Sequence, residues 1–114
     1  MLSTLLFASV VSFSRARVTG YDYASSCHNR HGGDCLTASG VPVAEGQAAC
    51  PRNIPLGSIV VVGDKLYICT DRYARWLDVK YPQNPTFDIF HKSCTRDLCG
   101  LTYAPASVWI LSVK

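Results

Sequence analysis

The stretch that most limits what this chain can fold into is Cys50-Pro51-Arg52-Asn53-Ile54-Pro55-Leu56-Gly57, which runs directly into Ser58-Ile59-Val60-Val61-Val62. Proline fixes φ and removes a backbone donor, so the chain at Pro51 and Pro55 is extended or turning and never mid-helix. Gly57 permits a bend that a side chain would resist. Ile59 to Val62 is β-branched, short and apolar throughout, and predicts a strand with a buried place. A proline-flanked turn therefore feeds a core strand.

A chain of 114 residues makes one domain with a modest core. Its formal net charge of +3 comes from scattered Lys and Arg. No basic run interleaves with aromatics, which argues against a nucleic-acid groove. Mild basicity suits an anionic polymer such as a cell wall. Six cysteines, none in a CxxC pair, favour disulfides and an oxidising compartment, hence a secreted or cell-envelope protein. Met1 to Ser14 carries no charged side chain. Its apolar run is too short to span a bilayer and fits either a secretory signal or a first strand. The remainder, residues 15–114, reads as a single domain, expected to act as a monomer without a stable membrane span.

Arg15 to Tyr23 alternates polar and apolar residues and reads as a strand. Ser25 to Cys35 is a polar, glycine-rich loop closed by Cys27 and Cys35. These two can pair, or can hold zinc together with His28 and His31, but the spacing matches no standard finger and no metal or other cofactor is expected. Lys65 to Thr70 pairs with Ile59 to Val62 across Gly63-Asp64, which is hairpin chemistry. Tyr73 to Thr86, with Trp76, Tyr81 and two prolines, predicts an irregular excursion. Phe87 to Phe90 returns to strand composition. Cys94 to Gly100 predicts a short helix or tight turn, and Val108 to Val113 a closing strand. Short strands and turns throughout predict a small all-β barrel or sandwich.

In this order, Thr37-Ala38-Ser39-Gly40, Ala48-Ala49-Cys50-Pro51-x-x-Ile54-Pro55-Leu56-Gly57, Thr70-Asp71-Arg72, Phe87-Asp88-Ile89-Phe90 and the closing Val-Trp-Ile-Leu strand resemble the 3D (three-aspartate) domain. More loosely they resemble the double-psi β-barrels of rare lipoprotein A, expansins and barwin. The resemblance runs from about Val18 to Val113. It implies a six-stranded double-psi barrel with a polysaccharide groove. It also puts an acid at the residue before Pro51, where this chain has Cys50. A thiol cannot replace a carboxylate in acid–base work at neutral pH, and bridging to Cys69 is the alternative role. The expected disulfides are Cys50–Cys69 with the local pairs Cys27–Cys35 and Cys94–Cys99. Asp78, in Trp76-Leu77-Asp78-Val79, competes with Asp88 for the last family aspartate, and Asp88 is the better match.

Glu45 is the single glutamate among eight acidic residues, so a catalytic carboxyl is expected to be an aspartate. Cleaving a glycosidic bond needs a proton for the leaving oxygen and stabilisation of an oxocarbenium-like transition state. Lytic transglycosylases, which the chain resembles, use one acid/base and let a hydroxyl of the sugar act as nucleophile. The expectation is therefore a peptidoglycan-acting enzyme with Asp88 as acid/base and Asp71 in support. Thr37, Ser39, Arg72, Tyr73 and Trp76 are the expected substrate contacts. Tyr21, His91 and Lys92 are further candidates. A non-catalytic wall-binding module is the alternative, and it would keep the aromatics and need no acid.

Overall fold

A computed structural model describes residues 7–22, 36–80, 84–92 and 100–113. Strand β1 spans Phe7–Tyr21, β2 Gln47–Ala49, β3 Ile59–Val62, β4 Lys65–Asp71, β5 Thr86–Phe90 and β6 Gly100–Val113, with one described helix, α1, at Arg75–Lys80. The six strands close into a barrel in the order β1-β5-β2-β4-β3-β6. The β1–β5 and β2–β4 pairs are parallel, and the remaining four are antiparallel. The fold is a small all-β barrel, and its mixed pairing is compatible with a double-psi arrangement.

The Cys50–Gly57 stretch folds as two successive turns. Ile54 donates its N–H to Pro51 O at 3.0 Å, and Ser58 donates to Pro55 O at 3.2 Å. Gly57 sits at the third position of the second turn with φ +94, the left-handed value that glycine takes without strain. The turns are stitched to β4, since Gly57 donates to Cys69 O and Cys69 to Ser58 O. Cys50 and Cys69 are joined by a disulfide, with Cα atoms 5.8 Å apart. Cys27, Cys35, Cys94 and Cys99, with His28 and His31, lie outside the described residues.

The barrel interior is filled by side chains that alternate inward along the strands. Ala16, Ala48, Val60, Phe87, Ile89, Val108 and Ile110 are buried there, together with the Cys50–Cys69 bridge and Ile54. A second cluster, Tyr21, Val43, Ala49, Tyr73 and Phe90, packs against the outer wall of β5 and β2. Its ring pair, Tyr21 against Phe90, meets edge-on at 5.4 Å between centroids.

Three expectations need correction. The excursion after Tyr73 is not wholly irregular, because Arg75–Lys80 forms α1. That segment holds no proline or glycine, and the salt bridge from Arg52 to Asp78, 3.0 Å, ties it down. The N-terminal strand is longer than Arg15 to Tyr23 suggests. Residues from Phe7 continue it, and Phe13 lies 6.1 Å from Phe87, ring to ring. The last strand likewise begins at Gly100 rather than Val108. Pro105 is tolerated because β3 pairs only with Val108 to Leu111 of β6, so the missing N–H removes no bond to β3.

The disulfide links residues 19 apart in sequence and spans the turn that anchors β2 to β4. Replacing both cysteines by alanine is expected to cost roughly 3 kcal/mol, read from denaturation in urea with midpoint and slope both fitted, since the unfolded chain loses a cross-link. A loss well under 1 kcal/mol would show that the turn holds itself without the bridge.

Candidate functional site

The site is a row of residues drawn from four strands. On one side of Asp88 in β5, Thr19 of β1 is its register partner, and on the other side Ala49 of β2 is. Ala49 is in turn the partner of Asp71 in β4. Adjacent strands lie about 4.8 Å apart, so the two aspartates sit two strand spacings from each other, with a methyl group between them.

Asp71 reaches this row through a bulge. The β2–β4 register skips Thr70, passing from Ala48↔Cys69 to Ala49↔Asp71. Side chains alternate along a strand, so without the extra residue Asp71 would point inward with Cys69. The bulge re-aims it onto the outer wall. The freed Thr70 carbonyl accepts the N–H of Ser39 at 2.9 Å, and the Thr70 hydroxyl donates to Gln47 Oε1 at 3.1 Å.

Asp71 is then held by three donors. The backbone N–H of Ala38 reaches Oδ1 at 3.0 Å and that of Arg72 at 2.9 Å, and the Tyr21 hydroxyl donates to Oδ2 at 3.3 Å. The turn that supplies Ala38 is closed by its own polar contacts. Thr37 Oγ1 donates to Val41 O at 2.9 Å and lies 2.8 Å from Ser39 Oγ, and Gly40 N–H donates to Thr37 O. Thr37 is buried and Ser39 exposed, so of the two it is Ser39 that faces water.

Asp88 is held more loosely. Thr19 Oγ1 donates to its Oδ1 at 2.7 Å. Burial pushes the Asp88 carboxyl up to about 6, the Thr19 bond opposes this, and the negative charge of Asp71 adds to it. Such a group exchanges its proton near neutral pH, which acid–base chemistry needs. The Tyr21 hydroxyl is pushed upward by burial, by the charges of Asp71 and Asp88, and by its bond to Asp71, so it acts as a donor and stays protonated.

The other expected residues are distributed as follows. Arg72 leaves β4 beside Asp71, but its guanidinium turns under the organising turn to donate to Pro51 O at 2.6 Å and Cys50 O at 3.3 Å. Tyr73 is buried in the second cluster, its hydroxyl donating to Asp78 Oδ1 at 2.8 Å. Trp76 is half exposed on α1, with Lys80 Nζ 5.8 Å from its ring centroid. Asp78 closes a network with Arg52 and Tyr73, and Arg52 also donates to Tyr73 O. His91 donates its N–H to Tyr21 O, and Lys92 donates its N–H to Glu45, which brings the Glu45 loop to the end of β5. Among the described residues, no three His, Cys, Asp or Glu gather as a metal site.

Sequence reasoning passes over Thr19 and Ala49, and treats Tyr21 only as a ring. Thr19 and Asp88 are 69 residues apart, and only the parallel β1–β5 register brings them together.

The position of Asp88 has a measurable consequence for stability. In the unfolded chain its carboxyl ionises near 3.8, whereas in the fold it does so near 6. The folded state thus holds the proton more tightly, and its contribution is fully present below about pH 4 and lost as pH rises through 6. Chemical denaturation of wild type is expected to show up to ~3 kcal/mol of lost stability across that window, which Asp88→Asn removes. Identical pH slopes for the two proteins would contradict the buried placement of Asp88. No family model, curated protein or solved structure matches the chain, so the functional reading rests on the residues and geometry above.

Proposed function

We propose that this protein is a peptidoglycan-acting enzyme of the lytic-transglycosylase kind on a 3D-like double-psi barrel. The observation that carries the reading is Asp88, a half-buried carboxyl that titrates near neutral pH on a barrel wall beside the fixed carboxylate of Asp71. Asp88 protonates the glycosidic oxygen as it leaves. The conjugate base then takes the proton from the sugar hydroxyl that closes the 1,6-anhydro ring, so one group serves both steps. Asp71 acts through its charge, which keeps the proton on Asp88 and stabilises the oxocarbenium-like centre. Ser39 on the Asp71 turn and Trp76 on α1 are the exposed candidates for contact with sugar. The chemistry calls on no cofactor and no nucleic acid.

The Cys50–Cys69 disulfide and the resemblance together favour an extracytoplasmic site of action. Among the described residues no helix is long and apolar enough to cross a membrane.

A second reading, a non-catalytic wall-binding module, is favoured by one observation. Cys50, which stands where the resembled family has its first aspartate, is buried and spent in the disulfide. The two readings separate on Asp88→Asn, which keeps the shape and removes the titrating proton. The enzyme reading expects the rate of glycan cleavage to fall on the order of 10²–10⁴-fold while sedimentation with peptidoglycan is retained. Asp78→Asn should leave the rate per folded molecule nearly unchanged. Wild type that binds the wall and cleaves nothing identifies the module.

The pH profile offers an independent check. A general acid that titrates near 6 gives kcat/KM an alkaline limb at that pH. Thr19→Val removes the hydrogen bond that favours the ionised form, so the limb moves to higher pH. An alkaline limb that ignores Thr19 would separate the activity from Asp88.

A further inference from the structure

We propose that Tyr21 is the positioning residue of the site, its hydroxyl setting the carboxylate of Asp71 and, through that charge, the proton of Asp88. The inference rests on the reading of the two aspartates given above and adds a third group to it. Tyr21 stands at the end of β1 and Asp71 at the end of β4, and β5 and β2 lie between those strands in the barrel. The phenol nevertheless reaches Asp71 Oδ2, at 3.3 Å. Its ring is buried on the way with Ala49 of β2 and Phe90 of β5. One side chain from β1 therefore spans the wall that carries both acids.

Tyr21 is held along its whole length. Its ring meets Phe90 edge-on, and its carbonyl accepts the His91 N–H at 2.8 Å. Burial and the two carboxylates push its ionisation upward, so the hydroxyl keeps its proton and donates it to Asp71. Asp71 Oδ1 takes the N–H groups of Ala38 and Arg72. Two donors on one oxygen fix that oxygen and leave the other to pivot about it. Among the described residues the Tyr21 hydroxyl is the donor on Oδ2, and this second point fixes the plane of the carboxylate.

The same bond tempers the charge that Asp88 feels. Asp71, facing it from β4, helps to hold the proton on Asp88. Between them β2 brings only the methyl of Ala49, and β1 brings the neutral Thr19 hydroxyl. The other ionisable groups nearby are placed elsewhere. Arg72 turns its guanidinium to Pro51 and Cys50, and Tyr73 gives its hydroxyl to Asp78, which Arg52 neutralises. Arg17 lies level with Thr86, ahead of Asp88 on β5, and His91 follows the strand. A donor on Asp71 offsets part of its negative charge, so without the hydroxyl Asp71 weighs more heavily on Asp88. A tie that merely joined strands would add stability and leave that proton where it is.

Tyr21→Phe keeps the ring and removes the donor. Carbon-13 NMR of the aspartate carboxyls, followed through pH in the full chain, reads Asp88 directly, with Asp88→Asn to assign its signal. Wild type is expected to titrate near 6. In Tyr21→Phe the midpoint rises by roughly half a pH unit, with the dichroism spectrum unchanged. Asp71→Asn alone lowers it. Adding Tyr21→Phe to Asp71→Asn moves it no further, since the hydroxyl acts through Asp71. At about pH 5, where Asp88 is protonated in either protein, Tyr21→Phe costs about tenfold in kcat for glycan cleavage with KM unchanged. A midpoint that stays put in Tyr21→Phe overturns the proposal, as does one that moves equally with and without Asp71. Wild type that cleaves no glycan yet shows the coupled shift supports the place of Tyr21 and overturns the enzyme reading.

Discussion

The structure depends on a strand of three residues. Gln47–Ala49 is inserted between β5 and β4, antiparallel to one and parallel to the other. Without it the barrel has a gap between the strand that carries Asp88 and the strand that carries Asp71. So short a strand cannot hold its place by its own ladder. It is held from both ends. Ile68 N–H donates to Gly46 O ahead of it, and Cys50 N–H donates to Asp71 O after it, where the disulfide to Cys69 adds a covalent stop. The same closure that completes the barrel spaces the two carboxyls.

The site follows from that closure and one irregularity. Ala48 faces the interior and Ala49 the outside, and both are buried. A larger side chain at Ala49 would fill the space between the aspartates, whereas the methyl leaves them electrostatically aware of one another. The Thr70 bulge then turns Asp71 outward, and the Thr37–Gly40 turn caps it with a backbone N–H. The two carboxyls receive unequal treatment. Asp71 takes three donors and Asp88 takes one hydroxyl and deeper burial.

Much of the barrel was legible in the residues because its signals are local. The Ile59–Val62 strand, the Gly63-Asp64 turn and the return at Phe87 are set by β-branching and turn chemistry within a few residues. Gly63 has the positive φ, +62, that the two-residue hairpin requires. The Cys50–Cys69 bridge is the expected pair, but six cysteines allow fifteen pairings and the residues alone do not choose among them. The true lengths of β1 and β6 were not legible. Arg15, Arg17 and Pro105 interrupt the apolar pattern, yet Arg15 falls at a register shift between Phe13 and Ala16, and Arg17 pairs directly with Pro105. Nor was the row across the site. A bulge at Thr70 leaves no glycine or proline to mark it. The contact between Thr19 and Asp88 belongs to a parallel pairing whose partners are far apart in the chain.

What Asp88 does with its proton is read most directly from the fate of water. Purified glycan strands are incubated with the protein in water enriched in oxygen-18, and the new chain ends are analysed by mass spectrometry. A lytic transglycosylase closes the ring with the sugar's own hydroxyl, so the account predicts 1,6-anhydro ends that carry no heavy oxygen, absent with Asp88→Asn. Ends that incorporate the label would mean hydrolysis by an activated water, and would contradict the single acid/base role assigned to Asp88.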